Sequence, residues 1–143
     1  MQVLLRYKAK KVYAVDVGYG QIHEKIKFNK KVISLERKNA RYLTKEEIKE
    51  RIDILVCDAS FISLKKILEK PLSFLKKNGI LIGLIKPQFE AKRKDIKKGG
   101  IVIEDSVHRY VCKDIKEWVE TQNLKVLSIQ KSSLKGAKGN KEY

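Results

Sequence analysis

The chain has 143 residues, about the length of one domain, and 43% of them are hydrophobic and 35% charged, which allows a packed core and excludes intrinsic disorder. Its formal net charge of +16 favours a polyanionic partner, although a solvated lysine-rich surface gives the same total. The longest apolar run, residues 80–85, is too short to span a membrane, and the first residues lack a signal-peptide pattern.

Five short apolar segments rich in β-branched residues predict buried strands. Their expected bounds are 11–17, 31–36, 52–57, 79–86 and 124–130. The fourth is the most hydrophobic, which places it centrally in a parallel sheet.

Helical patterns occupy the intervals between these strands. Residues 1–9 have the pattern of a helix end, and a capping box formed by Thr44 and Glu47 predicts a helix through about Arg51. Apolar spacing from 64 to 75 predicts the next helix, with a kink or restart at Pro71 and a stop at Gly79. The alternation of strands and helices predicts an α/β fold with a Rossmann-like, doubly wound, mostly parallel sheet.

The last helix is expected to begin with Asp105 or Ser106 as its cap, after a basic loop with a short helix at 87–100. Its apolar stripe predicts a buried face made of Val107, Tyr110, Val111, Ile115, Trp118 and Val119.

Four ionisable residues stand at the ends of predicted strands: Asp16, Glu36, Asp58 and Lys86. Ligands of doubly wound sheets bind beyond the carboxyl ends of the strands, so these positions predict a site. A carboxylate there suits the two hydroxyls of a nucleoside ribose. Alternatively, Asp16 caps the following turn and Glu36 forms a surface ion pair with Arg37.

Several segments resemble, in order, the TlyA-type proteins, which are often labelled hemolysins and belong with the FtsJ-like ribose 2′-O-methyltransferases. Two are highly specific, Asp-Ala-Ser-Phe-Ile-Ser-Leu at 58–64 and Lys-Pro-Gln-Phe-Glu at 86–90. The others lie at 12–21, 35–41 and 135–140. The resemblance covers essentially the whole chain, and it implies one partial methyltransferase domain over residues 1–143.

The resemblance implies a catalytic set of Lys, Asp, Lys and Glu, in which Asp58, Lys86 and Glu142 match the last three members. A lysine in a partly desolvated site beside carboxylates can orient or deprotonate a ribose hydroxyl. Glu142 is alternatively a frayed chain end, because it is the penultimate residue. The implied cofactor is S-adenosylmethionine, and the residues expected to contact it are Asp16, Gly18, Glu36, Arg37 and Asp58.

Two features of the resembling family have no match here, namely the first strand with its Gly-rich cofactor loop and first catalytic lysine, and the small RNA-binding domain before it. We therefore expect weak cofactor binding, a truncated chain of low activity, and association between copies that covers an exposed sheet edge.

The expected partner is ribosomal RNA, and the alternative function is a non-catalytic RNA-binding or interaction remnant. A cytolysin is disfavoured because the sequence has no membrane span or lipid-facing amphipathic helix. The two cysteines lack metal-ligand spacing, which predicts free thiols in the cytoplasm and no metal site.

Overall fold

A computed structural model describes all residues from Met1 to Tyr143, and contacts divide them into two compact units. The first unit consists of Met1–Asp53 and Glu69–Gly79, and the second of Ile54–Leu68 and Ile80–Tyr143.

The first unit contains a parallel pair of strands. β1 (Val12–Asp16) pairs with β2 (Val32–Glu36), and the register places Asp16 opposite Glu36. Both predicted strands are confirmed, each slightly shorter than expected. Because parallel strands run in the same direction, their two terminal carboxylates lie at the same edge of the sheet.

Short helices and a small apolar core complete the first unit. α1 (Gln2–Arg6) precedes β1, and α2 (Glu24–Lys27) lies between the two strands. A short 3-10 helix, Ala40–Tyr42, follows β2. The core has three buried side chains, Leu43, Ile48 and Phe74, and its partly buried neighbours are Tyr13, Val15, Leu35, Ala40 and Ile52.

The helix predicted from Thr44 to Arg51 is wrong. Glu47 does accept a hydrogen bond from the Thr44 N–H, at 2.9 Å, but only one turn follows, closed by the Ile48 N–H on the Thr44 carbonyl. Forming the first turn of a helix is unfavourable, and a helix of so few residues makes too few further hydrogen bonds to offset that cost without support from packing. Here a single turn is enough to bury Ile48 in the core.

A second two-stranded sheet is formed by β3 (Ile52–Cys57) and β4 (Leu75–Gly83). The predicted bounds of β3 are confirmed. β4 begins before Gly79, which therefore lies inside a strand and does not end a helix. A side chain at Gly79 would meet Leu75 Cδ1 at 2.7 Å, so a larger residue there would make the Leu75 side chain shift. The α/β class is confirmed, with the strands arranged as two separate pairs.

The predicted restart at Pro71 is confirmed. α3 (Leu64–Leu68) ends early, and Pro71 opens a separate 3-10 helix, Pro71–Phe74. Proline has no N–H for an intrahelical hydrogen bond, so the chain cannot continue as one helix.

In the second unit one face of the β3–β4 sheet is covered and the other is exposed. A side chain at Gly83 would contact Leu64 at 3.6 Å, so this face of β4 looks toward α3. Successive residues of a strand alternate between faces, which leaves Ile80 and Ile82 on the opposite side. The exposed fractions there are 40% for Ile54, 51% for Val56, 51% for Ile80 and 55% for Ile82.

The second unit also contains α4 (Pro87–Glu90), a 3-10 helix at Arg93–Asp95, α5 (Asp105–Thr121) and a 3-10 helix at Ala137–Gly139. α5 packs against α3 and α4. Its cap position is Glu104, one or two residues before the predicted Asp105 or Ser106, and no side chain caps it.

The buried face of α5 is narrower than its apolar stripe predicted. Val111 and Ile115 are buried as expected, and His108 joins them through a hydrogen-bond contact between its Nε2 and the Val102 carbonyl. Tyr110 is 42% exposed, so its predicted burial is wrong. The remaining predicted members, Val107, Trp118 and Val119, are partly buried.

The strand predicted at 124–130 is wrong, because these residues form no ladder with another strand. Leu127 is 83% exposed. An alternating apolar pattern becomes a strand only when a neighbouring strand pairs with its backbone N–H and C=O groups.

No helix of the structure combines the length and apolarity needed to cross a membrane.

Candidate active site

Lys86 and Asp58 meet where β3 and β4 end. The Leu84 N–H donates to the Cys57 carbonyl at 2.9 Å, which aligns the two strand ends. Lys86 Nζ lies 2.7 Å from Asp58 Oδ1, and the Lys86 side chain is 12% exposed while that of Asp58 is 65% exposed. Lys86 also donates to Ser60 Oγ at 2.9 Å. The ammonium group is therefore held by two oxygens and largely shielded from water.

Glu142 lies beside Lys86 because of a backbone pairing at the end of the chain. Ile85 and Tyr143 exchange two hydrogen bonds, of 2.7 and 3.0 Å, as an antiparallel pair does. The next pair in that register is Lys86 and Glu142, whose side chains therefore point to the same side. Glu142 is only 8% exposed, so the alternative of a frayed end is wrong.

An exposed aromatic ring stands in the loop that follows Asp58. Phe61 is 91% exposed and has φ of +64°, a left-handed conformation that is uncommon for a bulky residue. Its ring packs at 5.1 Å, centroid to centroid, against Phe89 of α4. Strained backbone at an exposed aromatic is more common at functional sites than elsewhere. Phe61 lies within the motif at 58–64, but its role could not be predicted from the sequence.

Glu90 connects the motif at 86–90 to the motif at 58–64. It lies in α4 and accepts a hydrogen bond from the Leu64 N–H, at 2.7 Å, at the start of α3. Burial raises the pKa of the Glu90 carboxyl, and hydrogen bonds from Ser63 and Leu64 oppose that increase. The segments that carry Asp58 and Lys86 are thus joined by a carboxyl group that the sequence analysis left without a role.

In the first unit a second group of predicted residues gathers at the ends of β1 and β2. Asp16 Oδ1 accepts from the Gly18 N–H at 2.7 Å. Glu36 accepts from the Gly20 N–H at 2.7 Å and from Lys27 Nζ at 2.6 Å. The Lys27 hydrogen bond is the main reason that the pKa of Glu36 is lowered. The alternative of a surface ion pair between Glu36 and Arg37 is therefore wrong, because Lys27 is the partner of Glu36.

Arg37 instead borders the loop that follows β1. Its N–H donates to the Gly18 carbonyl at 3.0 Å, and its guanidinium carbon lies 4.4 Å from the centre of the Tyr19 ring. Its φ of +55° turns the chain directly after Glu36. Asp16, Gly18, Glu36 and Arg37 thus belong to one strand-end group in the first unit, whereas Asp58, Lys86 and Glu142 belong to the second.

The model of a known family, the FtsJ-like methyltransferases, matches residues 1–143. The chain belongs to this family. Hemolysin A of Brachyspira hyodysenteriae is 40% identical, over 98% of this chain and 59% of that protein. The 16S/23S rRNA (cytidine-2′-O)-methyltransferase TlyA of Mycobacterium tuberculosis is 34% identical, over 99% of this chain and 53% of that protein.

A solved structure of a hemolysin-like protein from Streptococcus thermophilus superposes with a TM-score of 0.93 at 37% identity, over 98% of this chain and 51% of that one. The chain therefore spans about half the length of the proteins it matches.

The strand-end residues of this FtsJ-like domain fit a nucleoside cofactor by their chemistry. Asp16 uses Oδ1 for the Gly18 N–H, which leaves Oδ2 able to accept from a ribose hydroxyl. Glu36 is already bound to a backbone N–H and to Lys27, so it can serve a ligand only through its remaining lone pairs. The side chains form no group of three or more His, Cys, Asp or Glu that could hold a metal ion.

We expect Glu90→Ala to lower the free energy of unfolding of this FtsJ-like domain by about 1–2 kcal/mol, because the Leu64 N–H loses its acceptor. Glu90→Gln keeps an acceptor oxygen and should be at least as stable as wild type in urea titrations at neutral pH. A similar loss for both variants would contradict the hydrogen bond.

The pKa of Glu90 is raised on folding, so its stabilising contribution is complete below the unfolded pKa and is lost as pH rises through the folded pKa. Glu90→Gln should therefore flatten the decline of unfolding free energy with rising pH in that window. Urea titrations at a series of pH values measure this slope, and an unchanged slope would count against the burial effect.

Proposed function

We propose that this chain is the methyl-transfer domain of an S-adenosylmethionine-dependent methyltransferase that modifies ribose 2′-hydroxyls of ribosomal RNA. The observation that carries the proposal is the ion pair of Lys86 with Asp58, at 2.7 Å, beside a backbone pairing whose register sets Glu142 opposite Lys86. Membership of the FtsJ-like methyltransferase family supports the same reaction class.

The chemistry of the three side chains suits a ribose hydroxyl. S-adenosylmethionine supplies an electrophilic methyl group on its sulfonium. The hydroxyl oxygen becomes a competent nucleophile only when it is oriented and loses its proton. Lys86, held as an ammonium by Asp58 and Ser60, donates a hydrogen bond to that oxygen and fixes its direction. Glu142 is the neighbouring carboxylate, and in this proposal it accepts the hydroxyl proton.

The cofactor's nucleoside is assigned to the first unit's strand ends. Asp16 would accept from its ribose hydroxyls, Glu36 would assist, and Gly18 would keep the turn close to the ligand. Arg37 would border the same loop. A side chain at Gly18 would lie 2.7 Å from Gln21 Cγ and 3.1 Å from Asp16 Oδ1, so this turn tolerates only glycine without rearrangement. Asp58 is proposed to contact the cofactor's amino group in addition to holding Lys86.

Ribosomal RNA is the proposed substrate for four reasons. The chain carries a net charge of +16, which attracts a polyanion. Phe61 offers an exposed ring on which an unstacked base can pack. The M. tuberculosis relative is named as acting on cytidine 2′-hydroxyls of 16S and 23S rRNA. Lysines and an arginine at 92–98, directly after the proposed active site, are suited to phosphate contacts.

Cofactor titration by calorimetry is the first test. We expect S-adenosylmethionine to bind the purified chain, and Lys86→Ala to keep the cofactor affinity within about 3-fold while lowering methyl transfer to ribosomal RNA by about 100-fold or more. Lys125→Ala removes an exposed lysine from the unpaired segment 124–130 and should leave both measurements unchanged. Absence of binding at millimolar cofactor would contradict the proposal and favour a non-catalytic RNA-binding remnant.

The RNA partner is tested independently of catalysis. Phe61→Ala should weaken binding to a single-stranded ribosomal RNA fragment by about 1–3 kcal/mol, because it removes a stacking surface, and Phe61→Tyr should preserve most of the affinity. Phe28→Ala is the matched control, since Phe28 is 78% exposed but lies in the other unit. Fluorescence anisotropy measures all of these affinities, and equal losses for Phe61→Ala and Phe28→Ala would rule out a specific role for Phe61.

We also infer that copies of this chain associate through the apolar face formed by Ile54, Val56, Ile80 and Ile82. These four β-branched side chains lie on neighbouring strands, and strands of an α/β sheet are normally covered on both faces. Sedimentation velocity should show a dimer at micromolar concentration, and Ile82→Lys should give a monomer. Leu127→Lys, at an exposed apolar position outside this face, is the control. A wild-type monomer at all concentrations would exclude this association.

A further inference from the structure

Glu142 has an unusual environment for a carboxylate. It is 8% exposed, and charged side chains are rarely buried without a partner. The side-chain partner that the structure provides is Gln88, whose Nε2 donates to Glu142 Oε1 at 3.2 Å. Gln88 lies only two residues after Lys86, in the first turn of α4. One short segment therefore carries both the lysine and the amide that holds the neighbouring carboxylate.

Gly136 provides the space that this arrangement needs. A side chain at Gly136 would place its Cβ in a clash with Glu142 Oε1 and Cδ. Its φ of −73° is accessible to any residue, so the reason for glycine here is steric and not conformational. The carboxylate is pressed between the Gly136 backbone and the Gln88 amide, and its position is thereby restricted from two sides.

The buried position of Gln88 carries a free-energy cost. Its Oε1 is buried and has no hydrogen-bond partner, whereas buried amide oxygens are nearly always paired. Rotating the amide by half a turn would bring that oxygen against Glu142 Oε1, and two acceptors repel each other. The hydrogen bond to Glu142 therefore fixes the amide in the orientation that leaves its own oxygen unpaired. A methionine of similar length would remove that unpaired oxygen but would leave the buried Glu142 carboxylate without its side-chain partner.

On the basis of the proposed function, we propose that Gln88 is a positioning residue for methyl transfer, which orients Glu142 toward the Lys86 side while Gly136 keeps its place clear. Gln88 acts on the reaction through Glu142, and its contribution is to the rate of the methyl-transfer step. Misplacing a reacting group by about 1 Å costs up to roughly 100-fold in rate, so the orientation of one carboxylate is sufficient for a measurable effect.

Steady-state methylation of a ribosomal RNA fragment tests this role. We expect Gln88→Met to lower kcat by about 10-fold to 100-fold while both KM values stay near wild type, when measured at a temperature at which the variant is fully folded. Gly136→Ala should lower kcat in the same way. Gln130→Met, an exposed glutamine, is the matched control. A Gln88→Met variant with wild-type kcat, or with a kcat loss explained by a lower melting temperature, overturns the proposal.

A double-substitution cycle separates action through Glu142 from a general structural role. If Gln88 acts through Glu142, then Gln88→Met adds less than about 3-fold to the kcat loss of Glu142→Gln. If the kcat losses of the two single variants multiply in the double variant, the proposal is overturned.

Nuclear magnetic resonance provides a readout that does not require activity. The side-chain amide signals of Gln88 should shift in Glu142→Ala and stay unchanged in Glu47→Ala, whose carboxylate lies in the first unit. Unshifted signals in Glu142→Ala overturn the proposal even in an active chain. If the wild-type chain transfers no methyl group while the shift is observed, the proposed function fails, and the Gln88 contact is then only structural.

Discussion

The backbone pairing of Ile85 with Tyr143 is the constraint on which the candidate active site depends. It joins residues that are far apart in the chain, and its register places Glu142 opposite Lys86. The Leu84–Cys57 hydrogen bond likewise aligns the end of β3, and with it Asp58, with the end of β4. The placement of three ionisable residues from three segments thus depends on hydrogen bonds between backbone groups of neighbouring residues.

The polar groups at this site are held by specific partners rather than by charge alone. Lys86 lies against Asp58 and Ser60, and Glu142 against Gln88. Each partner offsets part of the cost of removing a charged group from water. A site of this kind loses its geometry when a single partner is removed, although the net charge of the chain barely changes.

In the first unit, backbone N–H groups hold the carboxylates in place. Gly18 donates to Asp16 and Gly20 to Glu36, so two loop turns are tied to two strand-end carboxylates. Lys27 completes the shell of Glu36. The loops after parallel strands are therefore preorganised by the residues that are proposed to meet the ligand, which reduces the entropy that binding must overcome.

The strands β1, β2 and β3, the family, and the residue types at the strand ends could be predicted from the sequence, because each depends on local periodicity or on motifs contiguous in the chain. The three-dimensional structure was needed to show that Lys27, rather than Arg37, pairs with Glu36, and that Glu142 is buried. It was also needed to show that residues 124–130 form no strand. A strand, an ion pair and a buried carboxylate each need a partner from a distant segment, and no local pattern records which segment will supply it.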